Sequence, residues 1–147
     1  MILIHLVMVA APNHVMAQEE KCQVAISAPK EGANVGEVGT AEGTAAIPTR
    51  GFLWILAHKA GLNGWWPQGD GHADIRSGQW EVSVHYGQAR DIGSKFEVAA
   101  VVVDRDDNNR LERWVEDAPG KGYPPTTFPN SLAGCPIKKA AVIKTSH

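Results

Sequence analysis

The chain of 147 residues carries 14 Lys and Arg against 16 Asp and Glu, a formal net charge of −2 at pH 7. Charges of both signs are dispersed along the sequence, which therefore lacks the basic stripe of a nucleic-acid-binding protein, and we expect no nucleic-acid partner. The length suits one domain with one sizeable core.

The first segment in chain order, residues 2–11, is an apolar run of signal-peptide length that is too short to cross a bilayer as a helix. Val15 and Ala17 then occupy the small-residue positions of an A-x-A-like cleavage site. We therefore predict a signal peptide at residues 1–17 and a mature domain at residues 18–147 without a membrane span. The mature protein would be periplasmic, at the cell surface or secreted. The alternative is a buried N-terminal strand.

Export changes the interpretation of the two cysteines, because disulfides persist in an oxidising compartment. Cys22 and Cys135 flank almost the whole mature domain, and we expect them to be joined. Closing so long a loop is worth roughly 4 to 5 kcal/mol on the chain-entropy model. Two isolated cysteines do not supply the clustered ligands of a zinc site. The alternative is a pair of buried, unpaired thiols.

Period-two alternation of apolar and polar residues dominates the mature domain. It is clearest in QWEVSVHY at residues 79–86, where it predicts a half-buried antiparallel strand with His85 pointing to solvent. We expect similar strands at residues 22–28, around 35–47, and at 52–58, 95–104 and 138–144. Glycine and proline clusters separate these segments, which favours an all-β sandwich over an α/β fold.

One short helix is predicted after the strand at 95–104. The run DRDDNNRLERWVEDA has an acidic and polar start followed by Leu111, Trp114 and Val115 at helical spacing. We expect the helix to lie across an open end or edge of the sandwich, with Trp114 as its anchor on the sheet.

Two segments resemble ligand-binding motifs but depart from them. The run at 104–108 matches the first three ligand positions of an EF-hand calcium loop, yet Asn109 replaces the turn glycine and Val115 the bidentate glutamate. Helix N-capping explains these aspartates better. The glycine-rich segment 32–43 lacks the GxGxxG spacing, so bulges or a close backbone approach explain its glycines better than a phosphate loop.

Catalytic motifs are absent from the sequence, which contains neither a G-x-S-x-G elbow nor an H-E-x-x-H pair. Asp70, His72 and Asp74 alternate, and they would point to one side if the segment were extended. Such a set could hold a divalent metal, but a solvated loop is the ordinary explanation. We therefore expect no enzyme activity, no metal and no cofactor.

The tryptophans divide into two groups. Trp54 and Trp80 lie on apolar strand positions and are expected in the core, whereas Trp65 and Trp66 sit together before a proline and polar residues. Adjacent residues of a strand point to opposite faces, so one of the pair can fill the core while the other stays outside. The predicted ligand-binding residues are Trp65, Trp66, Gln68, Asp70 and His72. The alternative is that both rings are packed against strands.

The order ISAPKEGANV, FLWILAH, WWPQGD, SGQWEVSVHYG, IGSKFEVAAVVVD and AAVIK resembles the Ig-like β-sandwich modules of exported or surface-associated bacterial proteins. The resemblance implies an Ig-like antiparallel sandwich of about seven strands, and it supplies no catalytic residues. Three functions follow as hypotheses. The first is a non-catalytic binding or adhesion module that recognises a glycan or polypeptide partner, the second is a structural or assembly subunit of an extracytoplasmic complex, and the third is an enzyme or metal carrier.

Overall fold

The computed structural model describes Ala10 and residues 21–147. The predicted signal peptide and its cleavage site, like the alternative of a buried N-terminal strand, lie outside the described residues, Ala10 excepted. Within the described part of the chain, no helix is both long and apolar enough to cross a membrane.

Two sheets and one helix make up the described chain. In order, the elements are β1 (Gln23–Ala28), β2 (Ala33–Val35), β3 (Val38–Ala46), β4 (Phe52–Lys59), β5 (Trp66–Pro67), β6 (Gln79–His85), β7 (Lys95–Val103), α1 (Arg105–Lys121) and β8 (Lys138–Lys144). One sheet has the strand order β1-β3-β6 and the other β2-β8-β7-β4-β5. This arrangement confirms the expected sandwich-like all-β fold with one helix.

The pairing of β2 corrects the expectation of a wholly antiparallel fold, because β2 runs parallel to β8. Residues 21–147 contain eight strands where about seven were expected, since β2 and β5 are too short to produce an alternating pattern. Strand β6 confirms the alternation argument, with every second residue buried and His85 exposed. A tight turn at Ser77 and Gly78, both with positive φ, leads into β6.

The main core fills the space between the two sheets. Trp80 and Val84 of β6 face Ile55 of β4 and Val98 of β7, and all four are at most 3% exposed. The placement of Trp80 in the core is therefore confirmed. Burial of this apolar surface is the main force that holds the sheets together.

A second apolar layer covers the outer face of the five-stranded sheet. Leu111 and Val115 of α1 pack there against Trp54 of β4 and Val101 of β7. The Trp54 indole N–H donates to Asn108 Oδ1 at 2.9 Å, so the buried polar atoms of both side chains are paired. The helix therefore lies on a sheet face and not at an end or edge, and its 17 residues make it longer than expected.

The start and end of α1 follow standard capping rules. The Asp104 carboxylate accepts from the Asp107 backbone N–H, which confirms N-capping as the use of this aspartate. Gly122 ends the helix in the left-handed conformation with φ 72°.

The disulfide between Cys22 and Cys135 is present, with a Cα–Cα distance of 5.0 Å. It joins the residue before β1, the edge strand of one sheet, to the segment before β8, which lies between β2 and β7 in the other sheet. The prediction of this bridge is confirmed.

Gly43 confirms the close backbone approach expected in the glycine-rich segment. A Cβ atom built at this position would collide with the Ala25 carbonyl oxygen of β1 and with the Trp80 ring of β6. No other residue type fits at this point of β3 without moving its neighbours.

Candidate functional site

The adjacent residues Trp65 and Trp66 enter different environments. Trp65 belongs to the outer apolar layer, where its ring stacks on His58 at a centroid distance of 4.5 Å and meets the edge of Phe128 at 4.8 Å. The Lys139 ammonium lies 5.2 Å from the centre of the Trp65 ring. These contacts make Trp65 a packing residue of that layer.

Trp66 lines an open groove of about 950 Å³ between the edge strand β5 and the C-terminal half of α1. Trp114 and Tyr123 supply the other two large aromatic rings of this surface, which we name the Trp66 groove. Both tryptophans are partly exposed, as Trp65 is, and Tyr123 is 58% exposed. The structure thus places one member of the tryptophan pair at an open groove.

The two tryptophans of the Trp66 groove hold the same short segment of backbone. The Trp66 indole N–H donates to the Tyr123 carbonyl, and the Trp114 indole N–H donates to the Pro124 carbonyl, both at 2.9 Å. Their ring nitrogens are therefore paired within the fold. Trp114 is not the anchor that the sequence suggested, because Leu111 and Val115 contact the sheet instead.

Gln68 is buried, and both polar atoms of its side-chain amide are hydrogen-bonded within the fold. Its Oε1 accepts from the His85 backbone N–H at 2.8 Å, and its Nε2 donates to the Trp66 carbonyl at 2.9 Å. The Gln68 backbone N–H donates to the Ile55 carbonyl of β4. Gln68 thus connects the two sheets, and it also lines the Trp66 groove.

His72 lies outside the Trp66 groove. Its Nδ1 atom is 2.9 Å from Glu112 Oε1, and its ring meets the edge of Phe52. Asp70 is exposed and lines the groove. Of the predicted set, the structure therefore brings Trp66, Gln68 and Asp70 together, and it places Trp65 and His72 elsewhere. In the described ranges no three His, Cys, Asp or Glu side chains are grouped as metal ligands.

Charged groups of both signs surround the Trp66 groove. Lys59 of β4 forms an ion pair with Asp91 at 2.8 Å, and Arg90 and Asp70 carry one further charge of each sign. The Gln88 backbone N–H, and after it the Lys59 ammonium, bonds the Asp91 carboxylate and lowers its pKa below the usual value. The groove is consequently close to neutral overall at pH 7.

Tyr123 adopts a backbone conformation that is uncommon for a residue with a side chain. Its φ is 55°, and its backbone N–H donates to the Ala118 carbonyl at the end of α1. A non-glycine residue in this region carries strain of order 1 kcal/mol, and such strain often occurs at functional sites. The helix end therefore fixes an exposed tyrosine at the mouth of the groove.

The sequence argument missed Tyr123 and His85 as groove residues and misassigned Trp114. A signal for Tyr123 was available in GKGYPP, where a large aromatic stands between a helix-ending glycine and two prolines. The alternation argument places His85 correctly on the solvent side of its strand, and in the structure it lines the groove beside Gln68.

Comparison with known proteins gives no assignment. No protein-family model matches the chain, and a search of curated proteins finds no match.

Proposed function

We propose that this chain is an exported, Ig-like, non-catalytic module that binds a glycan in the Trp66 groove. The carrying observation is the set of three accessible rings, Trp66, Trp114 and Tyr123, on one open surface with both indole N–H groups already paired. The sandwich-like fold, the disulfide and the signal-peptide pattern at residues 1–17 support an exported module.

A sugar ring suits this surface for chemical reasons. The C–H faces of a pyranose are apolar and flat enough to stack on an aromatic ring, while its hydroxyls need hydrogen-bonding partners around the rings. Asp70 and His85 stand exposed at the groove as such partners. The near balance of charge favours an uncharged glycan over a strongly charged peptide.

The test uses soluble tetrasaccharides of glucose, xylose, mannose and N-acetylglucosamine in α and β linkages, titrated into the protein in a calorimeter. We expect at least one to bind, and Tyr123→Ala to weaken that binding about tenfold or more because an exposed stacking ring is lost. Ile143→Ala is the matched control, since Ile143 is an exposed apolar residue of β8 outside the groove.

Two results would contradict the proposal. In the first, no tetrasaccharide binds and unstructured peptides bind at the groove. The partner would then be a polypeptide. The other is glycan binding that Tyr123→Ala and Ile143→Ala change equally, which would place the sugar away from the Trp66 groove.

A further inference from the structure

The outer edge of β1 has no strand beside it. β1 pairs with β3 along one side only, and in residues 21–147 no strand is hydrogen-bonded to its other side. The Ala25 carbonyl is directed at Gly43 of β3. Because backbone groups alternate in direction along a strand, those of Val24 and Ile26 point to the free side.

A slot of about 600 Å³ follows this free edge, between β1 and the start of β8. On the β8 side, the backbone of Ala141 is occupied, since its N–H donates to the Glu31 carboxylate and its carbonyl accepts from Gly32. The residues before Ala141, starting at Lys138, line the slot. The disulfide joins the residue before β1 to the segment before β8.

The charge around the slot is positive although the chain as a whole is acidic. Lys30 and Lys138 line it and are exposed, whereas Glu31 is the one acidic side chain of the lining and is bonded to Ala141. Lys139 also lines it, but its ammonium lies over the Trp65 and Phe128 rings of the outer apolar layer. Strand β1 itself, QVAISA, contains neither a charge nor a proline. Natural edge strands that must remain unpaired are protected by such residues or by bulges, and β1 has only a register shift between Ile26 and Ala28 at its end.

We propose that an extended acidic segment of a partner polypeptide binds this slot by adding a strand to the free edge of β1. The added strand would form main-chain hydrogen bonds with Val24 and Ile26, while its carboxylates face the lysines. A second copy of this chain is disfavoured as the occupant, because pairing two β1 edges would bring the lysines of both copies together. This site is separate from the Trp66 groove and does not depend on the glycan proposal.

The experiment measures fluorescence anisotropy of the labelled peptide VEVEVEVE with the full chain. The comparison peptides are VKVKVKVK and a VEVEVEVE analogue N-methylated on alternate amides, which keeps the charges but cannot pair as a strand. We expect binding of VEVEVEVE only, weakened about tenfold by the double variant Lys30→Glu and Lys138→Glu. Arg113→Glu, a charge reversal at an exposed position of α1, is the control and should leave binding unchanged.

Amide hydrogen exchange gives a second measure that charge alone does not affect. VEVEVEVE should slow exchange at Val24 and Ile26. The proposal is overturned if VEVEVEVE does not bind, if the N-methylated peptide binds equally well, or if a sulfated polysaccharide binds the lysines while VEVEVEVE leaves both amides unprotected.

Discussion

The two sides on which the sheets meet are closed by different means. On one side, the disulfide links the residue before the edge strand β1 to the segment before β8, and an open slot remains between these two strands. On the other side, Gln68 bonds both to β4 and to His85 at the end of β6, and the Lys59 and Asp91 ion pair lies beside it. The first closure is covalent and local, and the second is a network of hydrogen bonds.

The kind of link between the two sheets, covalent or hydrogen-bonded, determines which chemical groups stay available on the surface beside it. A covalent link holds two strands together at one point without using their backbone groups, so the edge of β1 keeps unpaired donors and acceptors. The network around Gln68 uses its polar atoms internally, and the adjacent Trp66 groove presents three aromatic side chains among charged ones. One side is therefore suited to backbone pairing and the other to stacking.

Removal of the disulfide should have the largest effect on stability. Cys22 and Cys135 are separated by 113 positions, and loss of a closed loop of this size costs about 4 to 5 kcal/mol on the chain-entropy model. We expect the double variant Cys22→Ala and Cys135→Ala to show this loss in urea unfolding followed by tryptophan fluorescence. Reductant should lower the midpoint of the wild-type protein and leave that of the variant unchanged. Equal urea midpoints for the oxidised wild type and the variant would contradict the expectation that the disulfide contributes more stability than the Gln68 network.

Gln68→Ala should have the next largest effect, because it leaves the His85 backbone N–H and the Trp66 carbonyl without their partner. An unsatisfied buried group costs about 1 to 3 kcal/mol. Gln79→Ala, which removes an exposed side chain at the start of β6, is the control. Urea unfolding that gives the same free energy for both variants would show that the glutamine does not connect the sheets.

Trp66→Phe should destabilise the domain by about 1 kcal/mol, because phenylalanine keeps a ring but cannot donate to the Tyr123 carbonyl. Tyr123→Phe keeps an exposed ring at the same groove and should change stability by under about 0.5 kcal/mol. Thermal unfolding followed by circular dichroism distinguishes the two. A larger loss for Tyr123→Phe than for Trp66→Phe would refute the assigned hydrogen bond.

The effect of Asp91 is confined to acid solution. Its pKa is lowered from 3.8 in the folded protein, so the unfolded chain takes up the proton first as the pH falls. The stability that Asp91 contributes is therefore complete above about pH 4 and is lost as the pH falls through the lowered pKa. Melting temperatures between pH 5 and pH 2 should decline less steeply for Asp91→Asn than for the wild type. Asp74→Asn, which removes an exposed carboxylate, is the control, and its melting temperature should decline with pH as steeply as that of the wild type. An equally steep decline for Asp91→Asn would contradict a stabilising role of the Asp91 ion pair.

The sequence predicted the strands best where one face meets solvent. In β6 the alternation is complete, and both the buried face and the exposed His85 follow from it. In β4 and β7 the outer face is covered by α1, so these strands are apolar on both faces. Their sequences therefore lack the alternation of apolar and polar residues, and they give no sign that a helix covers the sheet. Strand β2 pairs with the distant strand β8, and β5 pairs with the preceding strand β4, but both are too short to produce an alternating pattern.

The candidate site was predicted in part for the same reason. The alternation rule separated Trp65 from Trp66, and the structure places them in different environments. The rule could not show that Trp66 meets the carbonyl of Tyr123, 57 positions away, or that His72 meets Glu112, 40 positions away. Such contacts are set by how the helix returns over the sheet, which no short window of sequence contains.

Gly43 determines the alignment of the three-stranded sheet. Its α-carbon lies where the Ala25 carbonyl and the Trp80 ring converge, and its neighbours in β3 are Glu42 and Thr44. A slip of β3 by one residue in either direction would place one of those side chains at the crowded point, and it would also turn every buried residue of β3 to solvent. Misaligned pairings of β1, β3 and β6 are thus blocked by collision, and the correct register is the one in which the residue at the crossing has no Cβ atom.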